Sequence, residues 1–384
     1  MGLLAITILK DLKTDMKLLQ INRDALLRPL QAVTGIVERR HTLPILSNVL
    51  IERDAEQLRF VATDLELQIA TTAALDKKAG EAQAVTVSAR KLVDILRALP
   101  DDSEVALELS ANRLQVKAGK SRFNLQTLPA ADFPALADSG KPQSSFQISQ
   151  GEMRKLLALV QYAMAQQDIR YYLNGLLLVT EGREIRVVAT DGHRLSYAVT
   201  LIGSELEKTE VILPRKAIIE LSRQLSDGDE PLDVAIHASQ VRFRFGDVDL
   251  ATKVIDGKFP DYQRVIPSNY EKQIELDRDE LQRALQRAAI LSNEKFRGVR
   301  WMLTKDSLRI SCSNNEQEEA QEELEVGFSG DPLDIGFNVT YLLDVLGNVP
   351  PGKVCCAFGD ANSSMLITLP GRDDFRYVVM PMRI

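Results

Sequence analysis

Three stretches of the chain open on a polar residue and then place apolar side chains at helical spacing: NRDALLRPLQAV (22–33), SQGEMRKLLALV (149–160) and DRDELQRALQRA (277–288). Asn22, Ser149 and Asp277 predict N-caps, because their side chains can accept the amides that the first helical turn leaves free. Ser149 with Glu152, and Asp277 with Glu280, also have capping-box spacing. The caps lie 127 and 128 residues apart. A second helical pattern recurs as SARKLVDILRAL (88–99), PRKAIIELSRQL (214–225) and NVTYLLDVLGNV (338–349), with Asp94, Glu220 and Asp344 at the same place in each. Between the helices, alternating apolar and polar positions predict short strands. FVATDLELQIA (60–70) matches VVATDGHRLSYA (187–198) and, more loosely, RISCSNNEQEEA (309–320). Asp64, Asp191 and Asn315 fall between the apolar runs as hairpin turn formers. Phe133-Pro134 and Phe259-Pro260 are a further pair 126 residues apart, and the chain ends in VMPMRI at the level of the third copy.

Independent landmarks sharing one period near 126 predict three tandem domains. The expected fold class is α+β, each domain holding two helices and a set of antiparallel strands. The expected boundaries are 16–140, 145–268 and 269–384, with polar linkers near ADSGKPQS (137–144) and PSNYEKQ (267–273). Residues 1–15 read as an extension, either an artificial scar or translation from an upstream start with Met16 as the natural first residue; a short added strand or helix is the alternative.

The repeat changes how DGHRL (191–195) is read. Asp191 has counterparts in the other copies and is most simply a turn residue; His193 and Arg194 have none. A catalytic histidine needs partners. His41 and His237 show no metal-ligand spacing to it, and there is no GxSxG elbow, phosphate-cradling glycine loop or dinucleotide fingerprint. No enzyme, metal or cofactor is therefore expected. Cys312, Cys355 and Cys356 suit neither a disulfide framework nor a zinc site, which fits a reducing cytoplasm.

The net charge of −7 does not suggest nucleic acid, but it is unevenly spread. The six helix windows, with the first helices extended to 37, 165 and 292, carry +5 together and leave −12 for the strands and loops. Arg90, Lys91, Arg97, Arg215, Lys216 and Arg223 dominate. One such helix means little. Repetition across domains points to a basic, helix-lined surface that meets phosphate without reading bases.

Several long strings then carry a resemblance: HTLPILSNVL (41–50), ATDLEL (62–67), SRFNLQTLPAADFP (121–134), QDIRYYLNG (167–175), VATDGHRL (188–195), DGKFPDYQRV (256–265), AAILSNEKFRGVR (288–300) and YVVMPMRI (377–384). From Met16 to Ile384 the chain resembles the bacterial beta sliding clamp, the beta subunit of DNA polymerase III. The resemblance implies a DNA clamp fold in which two chains close head to tail, so that six domains form a ring with helices inside and sheets outside. It implies a non-catalytic processivity factor that encircles duplex DNA. It also implies a pocket for short peptides of the polymerase III alpha subunit, the clamp loader, other polymerases and repair proteins.

Carried over by residue, one subsite of that pocket is Leu173, Thr190, Gly192, His193, Arg194, Leu195, Pro260, Val265, Val378 and Met380, and the other is built around Tyr341, Ser364, Met382 and Arg383. Asn362 departs from the apolar residue common there. DNA contacts fall on Arg40, Gln167, Tyr171, Tyr172, Arg215 and Lys216, with a place in the core as the alternative for the two tyrosines. The ring interface falls on Phe123 and Leu125 against Ile290 and Leu291, and on Glu316, Glu318, Glu319 and Glu322 facing Lys120 and Arg122. The competing readings are a repeat-built protein scaffold that never encircles DNA, and a hydrolase using Asp191 and His193.

Overall fold

A computed structural model describes residues 16–38, 43–54, 56–75, 82–110, 112–137 and 139–383. They fall into two compact units: the chain up to Gly140 with Arg242–Thr252, and Lys141–Val241 with Lys253 onward.

In the first unit, strands Met16–Asn22, Glu104–Ser110, Arg113–Ala118 and Ser121–Leu128 form one antiparallel run. Gln83–Ser88, Asn48–Arg53, Gln57–Thr63 and Leu67–Ala74 form a second. The runs join where Thr86 and Val87 pair with Leu128 and Thr127. Helices Arg23–Thr34 and Ala89–Ala98 pack together and bury Leu26, Leu30, Val33, Leu92 and Leu96, the positions that the helical spacing selects. Each such side chain contributes about 1.5–3 kcal/mol. Residues 248–252 pair with 71–67, which is why Arg242–Thr252 belongs with this unit.

In the second unit the third repeat has the same plan. One run is Lys272–Asp277, Lys353–Phe358, Met365–Leu369 and Arg372–Val379; the other is Leu333–Asn338, Gly298–Thr304, Ser307–Ser313 and Glu319–Glu325. Helices Arg278–Ala289 and Val339–Asn348 cover a core that includes Trp301, Phe337, Phe358, Phe375 and Tyr377. In the second repeat two long strands, Gly175–Thr190 and Arg194–Pro214, each span what two strands do elsewhere, with register shifts around Gly182. Helices Gln150–Val160 and Arg215–Gln224 belong to it.

The α+β class, the six repeated helices and their caps therefore appear as the sequence pattern predicts. Asn22, Ser149, Asp277 and Asn338 accept first-turn amides with their side chains, whereas Ser88 does not. Two details differ. The first helices stop at Thr34, Val160 and Ala289, short of the wider windows, and after Val160 the chain tightens into a 3-10 turn at Gln161–Ala163. At Ser149 the Glu152 carboxylate accepts the Thr200 hydroxyl in addition to the cap made at its own amide. No helix among the described residues is long and apolar enough to cross a membrane.

Candidate functional site

The 190–195 turn is built by side chains folding back on their own backbone. Asp191 Oδ1 accepts the amides of His193 (2.9 Å) and Arg194 (3.1 Å). Thr190 Oγ1 donates to the Arg194 carbonyl and accepts the Gly192 amide. The same construction occurs in the first repeat. Asp64 Oδ1 accepts the amides of Glu66 and Leu67, and Thr63 Oγ1 joins the Leu67 carbonyl to the Leu65 amide. In the third repeat the capping side chain is Asn314, which accepts the amides of Glu316 and Glu318. Asn315 lies in this turn as expected, but the side chain that matches Asp191 is Asn314: the turn is one residue longer there, and its left-handed residue is Gln317 (φ 67°).

Asp191 is thereby committed. Its Oδ2 accepts Arg194 Nε at 3.0 Å, and no hydrogen bond among the described residues joins it to the His193 imidazole. His193 is exposed, and its carbonyl accepts the Met380 amide at 2.9 Å. The Asp-His pair is a folded-back turn with a solvent-facing ring, without the oriented base that a hydrolase requires.

Arg194 is the anchor, its side chain only 9% exposed. It reaches Asp191, then Asp344 Oδ2 at 2.6 Å and the Tyr162 carbonyl at 2.7 Å, and it lies 4.4 Å over the Tyr341 ring. Burial raises the titration of both Tyr162 and Tyr377, so both phenols stay neutral; Tyr377 donates to the Tyr341 carbonyl at 2.9 Å. The three acids that share one place in the second helices have different fates. Asp94 is exposed, Glu220 is buried against Arg223, and Asp344 holds Arg194.

The C-terminal strand is zipped to this turn. Val379 and Val378 pair with Arg194 and Leu195, and the Met382 amide donates to the Gly336 carbonyl at 2.8 Å. The residues expected in the first subsite separate into two kinds. Leu173, Thr190, Leu195 and Val378 are buried, while Gly192, His193, Val265 (41%) and Met380 (46%) are exposed, with Pro260 between. In the second set, Tyr341, Ser364 and Met382 are half-buried and Arg383 is exposed. The Arg194–Tyr341 contact joins the two sets.

Sequence reasoning missed Arg170, Asp168, Tyr162 and Asp344. Arg170 pairs with Asp168, whose carboxyl is held down at about 2 by that hydrogen-bonded guanidinium, and donates to the Asp191 carbonyl at 3.2 Å. A Cβ on Gly192 would fall 2.9 Å from Arg170 Nη1. Gly192 has φ 89°, a left-handed angle that costs a side chain strain, while the guanidinium in the way is the free end of the exposed Arg170 side chain and can give. Gly192→Ala is expected to lower stability by about 1–2 kcal/mol, read as a fall in thermal midpoint. An unchanged midpoint contradicts a strain cost at this left-handed position.

Of the expected DNA residues, Arg40 lies outside the described residues, as does the 1–15 extension. Gln167 is exposed with φ 54° on a loop that Asn174 clamps through the Asp168 amide and carbonyl. The two tyrosines divide: Tyr171 is 58% exposed, while Tyr172 packs against the buried cluster around Phe259 and Tyr262. Arg215 is half-buried and donates to the Met164 carbonyl at 3.0 Å, and its titration is lowered by burial and then by Arg194's charge; Lys216 is half-buried.

Of the expected interface residues, Ile290 is 77% exposed at the end of its helix, and Leu291 leans on the third repeat's core. Phe123 is half-buried, whereas Leu125 is 9% exposed, so Phe123 supplies most of the apolar surface on that strand. Lys120, Arg122, Glu316, Glu318 and Glu319 are exposed. Glu322 already has a partner in its own repeat: Arg287 holds its carboxylate with two nitrogens and lowers its titration.

Family models describing the DNA polymerase III beta subunit match the chain three times: the N-terminal domain over 16–137, the central domain over 147–261 and the C-terminal domain over 263–383. The chain is 46% identical to the beta sliding clamp of Pseudomonas aeruginosa over 367 residues, covering 95% of this chain and 99% of that protein. It is 47% identical to that of Escherichia coli K12 over 364 residues, with the same coverage. A crystal structure of the Pseudomonas aeruginosa clamp bound to griselimycin superposes with TM-score 0.91 at 46% identity, covering 96% of this chain and all of that one. The Caulobacter crescentus beta subunit does so with TM-score 0.89 at 39% identity, also covering 96% of this chain and all of that one.

Proposed function

Because the chain belongs to the DNA polymerase III beta subunit family, the non-catalytic sliding clamps, we propose that it works as a closed head-to-tail homodimer around duplex DNA and holds its partners by short peptide segments. Its domains are then 16–140, 145–268 and 269–384, and it acts in the cytoplasm. Basic helices facing the duplex hold phosphates through weak contacts that carry no sequence information. Processivity then comes from the topology of the ring. Gln167, Tyr171, Arg215 and Lys216, together with Arg40 and Tyr172, form part of that inner contact. The exposed Ile290 supports an interface in which it and Leu291 meet Phe123 and Leu125 of the next chain. Glu316, Glu318 and Glu319 then face Lys120 and Arg122, while Glu322 acts through Arg287.

One observation supports the peptide site most. The 190–195 turn is locked by Asp191 and Arg194 and zipped to the C-terminal strand, yet it leaves Val265, Met380 and the His193 ring exposed beside it. A rigid frame with a few exposed apolar side chains suits a docked peptide, and the flexible Met380 and Met382 let it accept several. Partners of this kind are the polymerase III alpha subunit, the clamp loader, and other polymerases and repair proteins.

His193 is a wall of this pocket. His193→Ala is expected to weaken binding of an apolar partner peptide by about 1 kcal/mol, measured by fluorescence anisotropy, with the fold unchanged because the side chain is exposed. Unaltered affinity contradicts the placement of the pocket, and a chemical turnover lost in this variant contradicts the non-catalytic role.

A further inference from the structure

Beside the peptide site lies a second concavity that the proposed subsites leave unused, a cleft of about 510 Å³. Its floor is the sheet formed by Gly175–Thr190, Arg194–Pro214 and Arg372–Val379, and its rim is the 262–268 segment. Tyr197 and Tyr262 pack with ring centres 5.9 Å apart and are buried. Two guanidiniums line it, and their situations differ. Arg186 is taken by two carboxylates, Glu181 at 2.9 Å and Glu184 at 2.6 Å, which outweigh its single charge. Arg376 lies 5.6 Å over the Tyr197 ring and has no ion pair among the described residues. Its nearest acid along the strand, Asp374, is taken by Arg372 with two hydrogen bonds. The cleft therefore holds one half-buried guanidinium, stacked on Tyr197 but with no ion pair among the described residues, beside Gln263 and Ser268 and with Glu184 committed to Arg186.

The location suggests the ligand. Tyr197 pairs directly with Arg376 across the strands, and Leu195 pairs with Val378 two residues along, on the same face of the sheet. Two strand residues span roughly 6.6 Å. Leu195 and Val378 belong to the first peptide subsite, and Pro260 and Val265 come from the segment that carries Tyr262 and Gln263 over the cleft. A peptide seated in that subsite needs only one or two further residues to reach Arg376.

We propose that the Arg376 cleft is an extension of the partner site that takes the carboxylate of an acidic residue flanking the apolar anchors of a bound peptide. This rests on the peptide-binding reading above and adds a specificity element to it. A carboxylate there forms a charge-assisted bond with a guanidinium already held by Tyr197, in a pocket large enough for a side chain and its backbone.

The test uses the full-length protein and fluorescent hexapeptides with adjacent leucine and phenylalanine anchors. One is unextended, two carry a Glu-Glu extension at either end, and two carry Lys-Lys. One of the Glu-Glu peptides is expected to bind about five- to tenfold tighter than the unextended one, in keeping with a partly exposed charge-assisted hydrogen bond, and neither Lys-Lys peptide to gain. Arg376→Gln is expected to erase the gain, and Arg376→Glu to reverse it in favour of lysine, with the unextended peptide bound as before in both variants. Normal binding of the unextended peptide with no dependence on extension charge, or a gain that survives in both variants, overturns this inference alone. Failure of every peptide to bind the wild-type protein overturns it together with the peptide-binding reading. A defect of Arg376→Glu confined to DNA retention also overturns it and points to a phosphate contact instead.

Discussion

Ile290→Ala/Leu291→Ala is expected to turn the protein into a folded monomer of 42.8 kDa that still binds partner peptides. The two residues end the Arg278–Ala289 helix, where Ile290 still has helical angles and donates its amide to the Arg287 carbonyl at 3.2 Å. A β-branched apolar side chain left 77% exposed in the free chain does little for its own fold, so its removal is tolerated. Leu291 contributes partly to the third repeat's core, and Ile290→Ala alone serves as the control that leaves that core intact. Burial against a neighbouring chain is worth about 1.5–3 kcal/mol for each side chain. Two side chains at each of two equivalent interfaces together remove about 6 kcal/mol or more from the ring. Sedimentation at low micromolar concentration reads the result. A particle that stays dimeric contradicts the placement of the interface, or shows that the exposed glutamates with Lys120 and Arg122 hold it alone.

Deleting Met380–Ile384 is expected to weaken partner-peptide binding by about 2 kcal/mol or more, the scale of a central anchor, while leaving the protein dimeric. The truncation keeps the buried strand through Val379, whose pairing with Arg194 supports the core. It removes the Met380 amide from the His193 carbonyl and the Met382 amide from the Gly336 carbonyl. It also removes Met380 and Met382, the apolar side chains that this edge offers to a ligand. Titration with an apolar peptide separates the outcomes: intact affinity in a dimeric truncated protein contradicts a pocket lined by the tail.

Repetition made most of this readable. A period near 126 set the helix pairs and the Thr-Asp turns, because caps, apolar spacing and turn side chains act over a few residues and leave a local imprint. The Asp64 and Asp191 turns close with the same hydrogen bonds in the structure. What stayed hidden depends on distance in the chain. Arg194 finds Asp344, 150 residues away, and nothing local marks Asp344 from Asp94 or Glu220 at the same repeat position. Arg170 reaches the Asp191 carbonyl from a loop 21 residues earlier. The acidic run reads as one surface feature in sequence, yet strand alternation turns Glu322 toward Arg287 while Glu319 stays exposed. The match to Asp191 falls on Asn314 rather than Asn315 because an extra residue in a turn leaves no trace in alternation. Leu195 and Val378 belong to the expected pocket by resemblance, but the fold buries both, whereas His193, Val265 and Met380 are exposed.

Encirclement is the central claim, and it has a direct test. The protein is placed on a nicked circular duplex by a clamp loader with ATP, purified by gel filtration in moderate salt, and run again after a single-site endonuclease has cut the circle. If the protein is a closed ring that holds DNA by topology, it stays with the circle and separates from the linear duplex, since nothing stops it at the ends. Equal retention on circular and linear DNA, or on neither, contradicts that account.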